Sequence, residues 1–62
     1  MQVEFWLRTP GEHKRIIIVG MEYPPRAGET VAITADGTAR EVHSVAYIVT
    51  AEKTVAKVLL KD

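Results

Sequence analysis

His43 stands beside Ser44, the one place in this 62-residue sequence where an imidazole adjoins a hydroxyl. Nucleophilic catalysis needs those two groups within hydrogen-bond reach, and a third group to orient the ring. Neighbours on a strand point to opposite faces, so the pair meets only if a bulge swings the side chains together. No orienting third group is identifiable, and the chain carries no GxSxG elbow, no glycine-rich phosphate cradle and no internal repeat. His13 and His43, with Glu12, Glu41 or Glu52, are the candidate metal ligands. They form neither an i, i+4 pair on a helix nor a His-x-His on a strand, so their spacing does not favour a metal. The expectation is a non-enzymatic protein with no catalytic residue, no metal and no cofactor. A shared site on the symmetry axis of an oligomer is the one enzymatic arrangement that the missing motifs leave open.

A second group of residues points to binding. Arg8, His13, Lys14 and Arg15 gather around the first turn, and the alternation of residues 2–8 sets Trp6 across from Arg15. An aromatic ring among cations on a sheet face suits single-stranded nucleic acid, through stacking and phosphate contacts. The same residues also read as a solvated turn with a cation–π pair, or as a protein interface centred on the tryptophan. Eight basic and eight acidic side chains are intermingled along the chain, giving a formal net charge of zero. Non-specific nucleic-acid binding draws on a clustered basic face, so balanced charge ranks nucleic acid behind a protein partner.

The elements that must position these residues read as strands. Residues 2–8 alternate, with Val3, Phe5 and Leu7 on one face and Gln2, Glu4, Trp6 and Arg8 on the other. Thr9-Pro10-Gly11-Glu12 is a turn with the residues a type II turn favours at its centre. That register sets Phe5 against Ile16, Val3 against Ile18 and Trp6 against Arg15. In the second strand, residues 13–21, Ile16, Ile18 and Gly20 then point inward, while Ile17, Val19 and Met21 point outward. Residues 22–29, with Pro24 and Pro25, form a loop. Residues 29–35 and 38–49 follow as strands joined at Asp36-Gly37, a strong hairpin signal. A two-residue turn there places Val31 opposite Val42 and Ile33 opposite Arg40.

The fourth strand breaks its own period once. Val42, Val45, Tyr47 and Val49 belong to the core face, yet Val42 and Val45 are three apart. An even-period strand needs an extra residue to do this, so a bulge is expected near His43-Ser44. Thr50-Ala51-Glu52-Lys53 closes the next hairpin, and residues 54–61 form the fifth strand. Val45 then pairs with Val58 and Tyr47 with Ala56 inside, while Ile48 meets Val55 outside. Residues 51–61 also fit helical spacing with Thr50 as an N-cap, which gives an α+β alternative with a helix packed on a four-stranded sheet. The β-branched residues Thr54, Val55 and Val58 favour the strand.

The order of elements resembles SH3-like small β-barrels, the KOW and Tudor types included, as found in small bacterial or phage proteins. Gly28-Glu29-Thr30-Val31-Ala32-Ile33, followed by Asp36-Gly37 and Val42, is similar to the Gly-acid-x-Val stretch and following glycine of KOW-type modules. The likeness covers a third of the chain, and Thr38-Ala39-Arg40 lacks the second glycine of that pattern. It implies an all-β, five-stranded small barrel spanning residues 1–62 as one domain. It also places Tyr23, Pro24, Pro25 and Arg26 where such domains carry ligand-binding loops. A rigid connection whose tyrosine covers one end of the barrel is the plainer reading of those four.

Size and composition then bear on partners. A chain this short buries only about 60% of the surface its unfolded form exposes. There is no cysteine to staple it. Its 47% apolar content is high for so small an interior. The second and fifth strands each carry more apolar residues than one core face can use, so a homo-oligomer is expected. Trp6, Ile17 and Val19 would form one side of the interface, and Ile48, Val55 and Leu59 the other. No segment approaches the ~20 apolar residues of a membrane span, and no signal peptide is visible. The expected setting is cytoplasmic, with no membrane partner.

Overall fold

The alternating and β-branched stretches become five strands: β1 (Gln2–Thr9), β2 (Glu12–Gly20), β3 (Thr30–Ile33), β4 (Thr38–Val49) and β5 (Thr54–Leu60). This is a computed structural model, and it describes residues 1–33 and 37–61. Among the described residues there is no helix, so residues 54–60 form the strand and the helical alternative is set aside. No helix among the described residues is long and apolar enough to cross a membrane.

The strands lie in the order β2-β1-β5-β4-β3. All neighbours are antiparallel except β1 and β5, which run parallel in the middle. Successive strands alternate in direction, so the first and fifth point the same way and bringing them together requires parallel pairing. The sheet curls into a half-barrel with β2 and β3 as its two edges. Its core is built from Val3 and Phe5 of β1, Ile33 of β3, Val42 of β4, and Ala56, Val58 and Leu60 of β5. Ile16, Val19, Met21, Val31 and Val45 pack against that cluster from the rim.

The β4–β5 register is the expected one, with Val45 against Val58, Tyr47 against Ala56 and Ile48 against Val55. The expected bulge is there too: Val42 pairs with Leu60 and Ser44 with Leu59, leaving His43 as the extra residue. Val42 can therefore stay buried on the same side as Val45. Tyr47 and Val49, expected in the core, are exposed instead, Val49 to 71%. They lie on the concave side, but among the described residues β3 pairs with β4 between Thr38 and Glu41, and no described strand covers the far end.

Two other registers differ from expectation. β1 and β2 pair as foreseen at Trp6–Arg15, with Thr9 level with Glu12 across a turn whose Gly11 has φ +86°. The register then slips between Phe5 and Trp6, so Phe5 faces Ile17 and Val3 faces Val19. Ile16 is the bulge residue. The extra residue adds right-handed twist, which a type II connection does not supply. Ile17 and Val19 therefore turn inward and Ile18 outward, the reverse of the simple alternation. In the β3–β4 hairpin Ile33 pairs with Thr38 and Val31 with Arg40, two residues off the expected register. The connection is longer than Asp36-Gly37 alone: the Gly37 amide, at φ +70°, donates to the Ile33 carbonyl at 3.0 Å. An even shift keeps the faces, so Val31 and Ile33 still look inward. Thr34, Ala35 and Asp36, and with them the details of that turn, lie outside the described residues.

Candidate functional site

β2 is the longer of the two edges, and its free side can be read from one pair of bonds. The Met21 amide donates to the Met1 carbonyl at 2.9 Å, and the Met1 ammonium donates to the Met21 carbonyl at 2.8 Å. Antiparallel ladders alternate, so Val19 and Ile17 also turn their backbone groups towards β1. Ile18 and Gly20 then present their N–H and C=O to the outer edge, where no strand of the described residues lies. Ile18 is 43% exposed and Ile17 37%. Across the mouth of the half-barrel, an apolar hollow of about 270 Å³ separates β2 from β3. Phe5, Ile17, Val19, Met21 and Val31 are among the side chains that line it.

The expected interface residues divide. Ile17 lies at that hollow and is partly exposed, while Val19 is half-buried beside it. Ile48 is half exposed on the convex face. Val55 is 7% exposed and already covered by its own chain, so it is not available to a partner. Leu59 and Trp6 are half-buried. The Trp6 indole N–H donates to Glu4 Oε1 at 3.0 Å, and Lys57 Nζ sits 4.2 Å from the ring centroid. That cation comes from β5 through the parallel register, which sets Glu4 beside Lys57, rather than from the first turn. Ile18 and Val49 are exposed apolar residues that the alternation placed inside.

The basic residues around the first turn gather only in part. Arg8 and His13 line an open hollow of about 810 Å³ together with Thr9, Pro10, Gly11, Glu12 and Lys61. Lys61, which the sequence reading did not include, reaches this end because β5 runs parallel to β1; its Nζ also pairs with Glu41 Oε2 at 2.9 Å. Lys14 and Arg15 are exposed but do not line the hollow. Since paired residues share a face, Arg15 and His13 lie on the convex side with Trp6 and Arg8, and Lys14 on the concave side with Leu7.

The bulge also does what two strand neighbours ordinarily cannot. His43 Nδ1 lies 3.2 Å from Ser44 Oγ, and Arg8 Nη1 lies 2.9 Å from His43 Nε2. A guanidinium has donors only, so Nε2 must be the acceptor and the ring proton of a neutral His43 sits on Nδ1. That proton is therefore donated to Ser44 Oγ. A ring donating to the hydroxyl cannot at the same time accept its proton, so this arrangement does not activate Ser44 as a nucleophile. Among the described residues no three His, Asp or Glu side chains cluster as metal ligands.

No protein-family model matches the chain, and no curated protein or solved structure matches it either.

Proposed function

We propose that the chain is a non-enzymatic binding and assembly module, an SH3-like small barrel that associates with copies of itself. The observation that carries this reading is the β2 edge, where Ile17 and Ile18 are exposed beside backbone groups that no strand of the described residues pairs. An isoleucine taken fully out of water contributes about 1.5–3 kcal/mol, enough to matter to a fold this small. The reading keeps Ile17 and Val19 from the expected interface, adds Ile18 and drops Val55. Size-exclusion chromatography with light scattering, run over rising concentration, tests it. The expected result is a mass above 6.9 kDa that grows with concentration. A monomer that persists at hundreds of micromolar refutes it.

A second reading rests on the hollow lined by Arg8, His13 and Lys61, which suits phosphate groups of a nucleic acid. It loses its stacking platform, because Lys57 already covers the Trp6 ring. It predicts salt-sensitive retention on heparin and a gel shift with single-stranded oligonucleotides, both weakened by Arg8→Ala. Absence of a salt-dependent shift removes it.

A further inference from the structure

We propose that two copies join β2 to β2 as an antiparallel pair with Ile18 on the two-fold axis, giving one continuous sheet of ten strands, five from each copy. This rests on the assembly reading above and names the register by which assembly occurs. Cations, bulges and shortness are the usual devices against unwanted pairing of edge strands. β3 is four residues long, and thus guarded by its shortness. The first half of β2 is guarded as well, by His13, Lys14, Arg15 and the bulge at Ile16. Its second half, from Ile17 to Gly20, carries none of these devices.

That unguarded half matches itself. Ile18 directs its N–H and C=O outward, so two Ile18 residues related by a two-fold axis can exchange both bonds. Ile17 then lies level with Val19 of the second copy, and the bulky Ile16 lies beside Gly20 of the second copy, where there is no side chain to crowd it. An added Cβ on Gly20 would meet nothing within 4 Å of its own chain, so the space beside it is free. Faces are preserved across such a pair, and Ile17 and Val19 continue the apolar lining of the concave side.

Charge selects this register over its neighbours. Past the bulge, His13, Lys14 and Arg15 run antiparallel to the stretch of the second copy that ends β2 and leads into Glu22. Met21 still exchanges both bonds with Met1, and the chain bends at Glu22, at the end of that ladder. Neither Arg15 nor Glu22 has a salt bridge within the described residues, and both are exposed. Sliding the pair towards the first turn sets the basic run against Ile18 and Val19. Sliding it the other way sets Glu22 against Ile16 and Ile17. Only the register centred on Ile18 puts apolar residues on apolar residues and opposite charges together.

The chain has no cysteine, so single-cysteine variants report the register directly. Directly opposed residues of a bonded antiparallel pair have Cα atoms about 5.5 Å apart, within the span a disulfide bridges. Under mild oxidation Ile18→Cys should form a covalent dimer, while Ala46→Cys, exposed on β4, should not. Arg15→Glu and Glu22→Lys should each raise the dimer Kd about tenfold at low salt, since both symmetry-related contacts turn repulsive. The double variant should return to within about threefold of the parent. If the chain dimerises but Ile18→Cys does not cross-link, or the double variant is no better than the singles, this register is wrong and the assembly reading stands. If the parent chain is monomeric at every concentration, both fall.

Discussion

Replacing Ile18 tests how much the exposed edge contributes, because the residue is separable from the fold. It is 43% exposed, is absent from the core cluster, and turns its backbone groups away from β1. Ile18→Ala should therefore leave the monomer within about 1 kcal/mol of its parent, the span of strand propensities. The effect on assembly is larger. Full burial of an isoleucine is worth about 1.5–3 kcal/mol. The exposed 43%, covered on both copies at once, comes to about 1.3–2.6 kcal/mol. That is a rise of roughly ten- to seventyfold in the dimer Kd for Ile18→Ala. Ile18→Lys should go further, since it adds two like charges at the axis and is the residue type that edge strands use to prevent pairing. Sedimentation equilibrium on parent, alanine and lysine variants measures all three, and far-UV circular dichroism with thermal melts at low concentration checks the fold. A folded Ile18→Lys variant that dimerises as tightly as the parent would refute the reasoning.

Three further outcomes follow from the monomer. Val58 is fully buried between β1 and β4, so Val58→Ala should cost about 2 kcal/mol. For a domain this small that is a fall of roughly 8–16 °C in Tm by calorimetry, and an unchanged Tm would contradict the assigned core. Gly11, at φ +86°, should lose about 1–2 kcal/mol on replacement by alanine, whereas Gly20, with ordinary φ and open space, should be neutral within about 0.5 kcal/mol in urea titrations. Equal effects at the two positions would overturn the turn assignment. Nitrogen NMR of neutral His43 should show the proton on Nδ1, and Arg8→Ala should release that preference; an Nε2–H ring in the parent would contradict the Arg8 contact.

Most strand positions were legible because strand formation here is a local matter of alternation and β-branching. Residues 2–8 declare themselves that way, while residues 54–61 fit helical spacing as well and are told apart by their β-branched residues. The spacing of Val42 and Val45 discloses the bulge at His43, and the Thr50–Lys53 turn sets the β4–β5 register. The β1–β2 register was not legible. Ile16, Ile17, Ile18 and Val19 are apolar in succession, so slipping by one residue exchanges one greasy face for another and the pattern carries no penalty. Nor does any local signal report the parallel pairing of β1 with β5, which joins residues more than fifty apart and covers Val55 and Trp6.

The sequence by itself therefore favoured an all-β chain of five strands over one ending in a helix, with more apolar residues than one small interior can use. The structure removed the helix. Tertiary structure decided which of them stay in water. It chose Ile18 over Val55, because the extra residue at Ile16 turns one face of β2 over and because β5 lies between β1 and β4 rather than at an edge.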